Sequence, residues 1–253
     1  MENEPMRPLQ KMFMTVPSSY DFLNRLLTFR FDERWRKMAV KAILETRPQR
    51  VLDLCTGTGD LAIRLRKNAD RAIGIWGLDY SEPMLEYASI KSLRANISVE
   101  DSTGEEDSVL RDFAGIRFVH GDAAALPFSD GFFDAIGIAF AFRNLTFKHP
   151  DSALFLAETM RVLRPGGLFV IVETSQPANS FIRRLVHFYL RAVAVPLGGW
   201  ISGHRGAYHY LAHSAIHYYS AGEVKALLAG AGFSRVRYRL LLGGVAALWE
   251  AIK

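Results

Sequence analysis

A single cysteine, Cys55, stands among 253 residues. One thiol excludes an internal disulfide and a cysteine-rich metal site, and it fits a reducing compartment. Long hydrophobic runs are also missing. The longest apolar stretch, Ala192 to Ser202, is interrupted by Pro196 and by Gly198 and Gly199, and it is shorter than the ~20 residues that span a bilayer. The first dozen residues are polar, charged and broken by proline, unlike a secretory signal. Linkers, repeats and low-complexity tracts are absent too, so a single domain over residues 1–253 is expected. Cytoplasmic placement is expected with it, at most peripheral at the inner face of the membrane. What remains is ordinary globular composition, 49% hydrophobic and 23% charged, enough for a full α/β core. Thirty-one Lys and Arg against 26 Asp and Glu give a charge of +5, a bias toward anionic surfaces that does not choose between nucleic acid and lipid.

Hydrophobic spacing from Tyr20 to Leu44 predicts two helices separated near Phe29 to Asp32. The period then shortens. Arg50 to Leu54 reads as a buried strand, Thr56-Gly57-Thr58-Gly59 as a turn, and Asp60 as the cap of a helix. Ile73 to Leu78 reads as a second strand, and Ser81-Glu82-Pro83 as another helix start. Alternation of this kind is the signature of a parallel α/β sheet. Val99 to Asp107, dense in acids and turn formers, reads as a solvated surface insertion. Further strands are expected at Ile116 to His120, Phe133 to Phe140 and Leu168 to Val172, with a helix at Ser152 to Leu163 and a turn at Arg164 to Gly167. A helix at Ala221 to Leu228 and strands at Val236 to Leu242 and Val245 to Ile252 close the chain.

The glycine turn carries the chemistry. Gly57-Thr58-Gly59-Asp60-Leu61-Ala62 fits a dinucleotide fingerprint, and Asp79 follows about 20 residues later at a strand end, where a ribose needs a carboxylate. Nicotinamide dinucleotide and S-adenosylmethionine both meet that test, and a plain tight turn is the remaining alternative. Asp53, inside the first strand, suits cationic amino and sulfonium groups better than phosphate. Asp60 places another negative charge where a phosphate would sit. Asp122, with Ala123, ends a third strand where an adenine amino group can donate. Tyr80 is placed either to pack on the adenine or to cover a strand end. No second glycine turn follows, so the methyl donor is favoured.

Val51 to Leu61, Asp79 to Leu85 and Gly121 to Phe128 resemble the successive motifs of class I methyltransferases. Phe13 to Asn24, Phe140-Ala141-Phe142-Arg143-Asn144-Leu145, Arg161 to Gly167, Tyr208-His209-Tyr210-Leu211 with Ser214, and Ala231-Gly232-Phe233 narrow the likeness. Together they are similar to the UbiE/MenG family, which C-methylates prenylated benzoquinols or naphthoquinols in ubiquinone and menaquinone synthesis. The resemblance implies a Rossmann-like α/β fold with a seven-stranded, mostly parallel sheet and helices on both faces. It also implies an N-terminal helical arm over residues 1–48 and a substrate-side helical lid over residues 174–220. Cofactor contacts carry over to Thr58, Asp79, Asp122 and Ala123; a further family position, usually serine, is Ala139 here. Thr174, His204 and Tyr219-Ser220 also depart from the family pattern.

C-methylation needs a ring carbon made electron-rich by its hydroxyl neighbour, hence a base or a positive group beside a phenolate. Arg143, just past a strand end, suits the second task, and its alternative is a surface ion pair. Asn144 either orients a hydroxyl or caps a helix, and Tyr20 with Asn24 either closes over the cofactor or joins the core. Tyr208 and Tyr210 are candidates for shaping the quinol pocket. His209, His213 and His217 form one helical ridge; direct methyl transfer needs no metal, so none is expected. Phe181 to Val193 reads as a basic amphipathic helix, with Arg183, Arg184, His187 and Arg191 opposite an apolar side that faces either a membrane or the domain itself. The expected partner is a prenylated quinol, with no nucleic acid, because no groove of interleaved aromatic and basic residues is present; a homo-oligomer is left open. Two rival functions stand beside C-methylation, a methyltransferase of a soluble small molecule and a non-catalytic scaffold of the same fold.

Overall fold

The computed structural model describes Asp21, residues 25–101 and residues 114–253. Tyr20, Asn24, the arm before them and residues 102–107 of the acidic segment lie outside the described residues. After a turn at Thr28–Arg30, the chain runs α1 (Phe31–Glu45), β1 (Arg50–Leu54), α2 (Asp60–Asn68), β2 (Gly74–Asp79), α3 (Glu82–Arg94), β3 (Val99–Asp101), β4 (Ile116–His120) and β5 (Phe133–Ala139). It continues through α4 (Phe142–Thr146), α5 (Ser152–Val162), β6 (Leu163–Thr174), α6 (Ser180–Tyr189), α7 (Val195–Ser202), α8 (Arg205–His217), α9 (Ala221–Gly230), β7 (Arg235–Leu241) and β8 (Ala246–Ile252).

The strands form one sheet in the order β3-β4-β2-β1-β5-β6-β8-β7. All neighbours from β3 to β6 pair in parallel, and β8 runs antiparallel to both β6 and β7. Eight strands replace the expected seven. The extra one is β3, whose Val99 pairs with Ile116 at the sheet edge; the start of the acidic segment is therefore strand, not loop, because Val99 can add one more short ladder to β4. The Arg164–Gly167 turn likewise falls within β6, bulging between the Phe133–Leu163 and Ala135–Leu168 pairs with Gly166 at φ +73.

Alternation along the strands builds two cores. Val51, Ile75, Ala135 and Val170 face α1, α2 and α3, which contribute Ile43, Leu65 and Ala88. Leu52, Trp76, Ile136 and Ile171 face the other way, onto Phe155 of α5 and Leu228 of α9. Parallel strands covered on both faces bury both alternating sets of side chains, one in each core, which is why these segments read as continuous apolar runs.

The substrate-side insertion is helical throughout. Pro196 does not break the apolar run: α6 passes into α7 through one wide turn at Leu190–Ala194, which accommodates the N–H that proline lacks. The resulting helix, Ser180–Ser202, has a mean hydropathy of 1.2 over its most apolar window, with 22% of that window buried, and is long and apolar enough by length and composition to cross a membrane. It is amphipathic, however. No residue of α6 is buried; Phe181, Leu185 and Phe188 are exposed, as is Trp200 on α7. α7 packs on α8 where Gly198 leaves room for the Tyr208 ring.

Candidate active site

Strand order reverses between β1 and β5, and in open α/β sheets the ligand crevice lies outside the carboxyl ends at such a point. Two non-glycine residues take left-handed backbone there, Cys55 at φ 54 after β1 and Phe140 at φ 63 after β5. Each costs about 1–2 kcal/mol, strain of the kind that gathers at functional sites. Phe140 is held by Arg36 stacked 4.9 Å from its ring centroid and by its N–H donating to Val172.

The glycine turn follows Cys55. Gly57 has φ 54 with open space where a side chain would stand, and Gly59, at φ 78, approaches Ala88 so closely that a Cβ would lie 3.0 Å away. Gly59 occupies the cap position of α2, so Asp60 is the first helical residue rather than its cap. The Asp60 carboxylate turns to Lys91, Arg25 and Arg36. Burial acts to raise that carboxyl, but the Arg36 and Lys91 charges outweigh it and hold it below its ordinary value. Asp60 is thus neutralised within the fold, which leaves Asp53 as the acid that disfavours a phosphate. Thr58, also buried, donates its hydroxyl to Asp21 at 2.6 Å and accepts from Lys91 at 3.2 Å, tying the turn to the segment before α1.

Three carboxylates converge on the turn. Asp53 is almost fully buried and accepts from the Thr56 hydroxyl at 2.6 Å and the Ala62 N–H at 2.9 Å. Burial nevertheless pushes its carboxyl up to about 7. Asp79 accepts the Gly57 N–H at 2.8 Å on one oxygen and the Ser81 N–H at 2.9 Å on the other; burial raises it as well, against these backbone donors. Asp122 is exposed and accepts from Ala124 N–H at 2.8 Å, with Ala123 buried beside it. Their convergence is visible at Cys55, whose thiol is pushed up first by burial and then by the charges of Asp79, Asp53 and Asp122. Tyr80 is exposed and lies against His120, while Ala139, half-buried, ends β5 beside Phe140.

A second polar cluster closes the far side. Arg143 is buried on α4; its Nη1 donates to Thr174 Oγ1 at 2.7 Å and lies 3.7 Å from Glu173 Oε1. Glu173 has 0% exposure and also accepts the Arg143 N–H at 3.1 Å and the Thr174 N–H and hydroxyl at 2.7 and 2.9 Å. Thr174, a departure from the family pattern, therefore bridges arginine and acid. Among the described residues three buried atoms here have no hydrogen-bond partner: Arg143 Nε, Asn144 Oδ1 and Ser175 Oγ. Orphaned buried polar atoms cost about 1–3 kcal/mol each, so their gathering at one strand end marks a place where a ligand supplies the partners. Tyr218 is buried nearby and hydrogen-bonds Thr146 at 3.1 Å; burial, then the Glu173 charge, pushes its phenol up.

Glu173 and Ser175 were not singled out from the sequence, although an acid ending an apolar strand repeats the signal of Asp79. Tyr208 is buried with Ala207 in a satellite cluster that takes in Leu27, Ile201, Tyr210 and Leu211, which is helix packing rather than the Arg143 cluster. His209, His213 and His217 are exposed on α8, and no group of three or more His, Cys, Asp or Glu among the described residues is arranged to hold a metal.

A strained strand-end pair, a left-handed glycine turn and carboxylates suited to an amino group, a ribose and an adenine leave the family to be decided by comparison. The ubiE/COQ5 methyltransferase family matches residues 1–253. The chain belongs to the ubiE/COQ5 methyltransferase family. A demethylmenaquinone methyltransferase of Thermus thermophilus is 44% identical over 237 residues, covering 94% of this chain and 97% of its own. The ubiquinone/menaquinone biosynthesis C-methyltransferase UbiE of Geotalea uraniireducens is 37% identical over 249 residues, 97% of this chain and 96% of its own. Among solved structures, SAM-dependent methyltransferases from Thermotoga maritima and Aquifex aeolicus share the fold. Their TM-scores are 0.61 and 0.54 at 19% and 18% identity, covering 96% and 87% of this chain and 98% and 97% of theirs. The family member described here is accordingly a methyltransferase, and its donor set fits S-adenosylmethionine as the methyl donor: a buried carboxylate raised to about 7 is suited to an incoming cation.

Proposed function

We propose that this methyltransferase C-methylates the ring of a prenylated quinol, a demethylmenaquinol or related benzoquinol, in quinone biosynthesis, working peripherally at the membrane. The observation that carries the acceptor is the buried Arg143 beside the orphaned Asn144 Oδ1 and Ser175 Oγ; relatives covering nearly the whole chain are named for demethylmenaquinone. In this reading Asp53, Asp79, Tyr80, Asp122, Ala123, Ala139 and the turn at Gly57, Thr58 and Gly59 hold the cofactor, Asp53 facing its cationic end and Asp79 its ribose.

When bound, the cofactor supplies an electrophilic methyl on a positively charged sulfur. The chain's own part is to orient and polarise the acceptor. Arg143 stabilises the negative charge that builds on the quinol oxygen, which raises the electron density of the neighbouring ring carbon. Glu173 and Thr174 fix the guanidinium, and Asn144 accepts the hydrogen bond of a ring hydroxyl. Tyr208 and Tyr210 stiffen the lid that shields the ring from water.

Membrane contact is supported by the outward apolar residues of the Ser180–Ser202 helix, with Phe181 73% and Trp200 78% exposed, and by Arg183, Arg184 and Arg191 on the same run. Such a helix lies in the headgroup region rather than across it. Incubating the protein with methyl-labelled cofactor and a short-prenyl naphthoquinol tests the acceptor: label on a ring carbon is expected, and none on any quinol despite cofactor binding overturns it in favour of a scaffold. A blue shift of Trp200 emission on anionic vesicles, lost in Phe181→Ser/Phe188→Ser, tests the membrane contact; an unshifted wild type refutes it.

A further inference from the structure

Between α8 and the wide turn that joins α6 to α7 lies a pocket of about 220 Å³ lined by Arg191, Val195, His209, Ala212, His213, Ile216 and His217. At ~30 Å³ per water, it holds a phosphate and several atoms of its ester. The methyl-transfer chemistry uses none of these residues. From Thr174 to Gly222 the sequence contains no Asp or Glu at all, against four Arg and five His. The pocket therefore sits in a segment without an acid of its own to balance the positive charge.

We propose that this pocket binds the phosphate of an anionic phospholipid headgroup, with Arg191 and the protonated His209, His213 and His217 as donors and Val195, Ala212 and Ile216 as the floor beneath the glycerol. The His213 and His217 ring centroids are 4.3 Å apart. The His217 Nδ1–H donates to the His213 carbonyl at 2.8 Å, which leaves Nε2 as the atom that takes up a proton. On the other side, His187 Nε2–H donates to Gln176 at 3.0 Å, and Gln176 donates in turn to the Ala215 carbonyl.

The titratable groups around the pocket are Arg183, His187 and Arg191 from α6 and its continuation, and His209, His213 and His217 from α8; α7 supplies none. Charging two neighbouring imidazoles beside Arg191 is repulsive unless an anion enters. Proton uptake and phosphate binding are therefore linked, and each favours the other. Phosphate favours Arg forks and imidazolium N–H donors, and a lipid is its source here because the pocket adjoins the exposed apolar run that ends at Trp200. That choice of source rests on the membrane reading above; the anion chemistry does not.

Co-sedimentation of the full-length protein with phosphatidylcholine vesicles, with and without phosphatidylglycerol, decides the matter. Binding to the anionic vesicles is expected to strengthen about tenfold or more between about pH 8 and about pH 6, the effect of at least one linked proton. The His209→Gln/His213→Gln/His217→Gln variant is expected to lose that dependence while methylating a water-soluble short-chain quinol at the wild-type rate. That second readout separates failure of the pocket from failure of the acceptor assignment. Equal wild-type binding at both pH values, or a triple variant that keeps the dependence, overturns the proposal. So does a result in which inorganic phosphate shifts the imidazole NMR signals but phosphatidylglycerol gives no advantage over phosphatidylcholine, which makes the site one for free phosphate.

Discussion

Replacing Glu173 by glutamine removes a charge and almost no volume from the centre of the Arg143 cluster. The carboxylate accepts three donors, at 3.1, 2.7 and 2.9 Å, and faces the guanidinium at 3.7 Å. A glutamine carbonyl can keep the two Thr174 bonds, but its NH2 then meets the Arg143 N–H donor to donor. In a site with 0% exposure that orphaned donor alone costs about 1–3 kcal/mol. The guanidinium also loses its buried counter-charge. At an effective dielectric of about 20, charges 3.7 Å apart interact by roughly 4–5 kcal/mol, consistent with the ~3–5 kcal/mol typical when one partner of a buried pair is removed. The expected loss of stability is therefore about 3–5 kcal/mol, read from urea unfolding with the slope checked for two-state behaviour. The turnover number on a short-chain quinol should fall about 10–100-fold, worth ~1.4–2.7 kcal/mol, with cofactor affinity unchanged. A variant that loses stability but turns over at the wild-type rate would show that Glu173 holds the fold and does not position Arg143. One that loses neither refutes the buried pair altogether.

Arg143→Lys keeps the charge but loses the planar fork, and turnover should drop ~100-fold or more with KM for the cofactor unmoved; steady-state kinetics decide it. Asp53 titrates at about 7 in the folded chain and near 3.9 when unfolded. Its stabilising contribution is fully present below about pH 4 and is lost as pH rises through about 7. Asp53→Asn should therefore flatten the fall in stability of the cofactor-free protein between those values. In the wild type, cofactor affinity by calorimetry should rise from about pH 6 to about pH 8, since the ionised form meets the cation; affinity that falls over that range contradicts the assignment. Gly198→Ala gains about 1 kcal/mol of helix propensity but drives a methyl into the buried Tyr208 ring, an overpacking cost of about 1–3 kcal/mol. A net loss near 1 kcal/mol in urea unfolding is expected, and a more stable variant would show that α7 and α8 part easily.

The cofactor half was legible because its chemistry is local. Gly57, Gly59 and Asp79 sit at spacings dictated by one strand–turn–helix–strand unit, and that unit carries its geometry with it. The acceptor half was not. Arg143 was visible as a cation after a strand, but its partners Glu173 and Thr174 arrive at the end of β6, about 30 residues further on, and only parallel pairing of β5 with β6 brings them together. Asp60 went astray for the same reason: its sign is written in the sequence, while the Lys91, Arg25 and Arg36 that neutralise it come from other elements.

By itself, then, the lone cysteine excluded disulfide and cysteine-cluster chemistry, and the alternating periods determined a parallel α/β sheet with its glycine turn, because both depend only on neighbours along the chain. Tertiary structure decided what depends on distant segments. It made the thiol of Cys55 a half-buried group under the charges of three carboxylates, carried a helix through Pro196 by widening one turn, and left the apolar residues of α6 facing outward. Burial and charge pairing are properties of packed surfaces, and no spacing rule along the chain contains them.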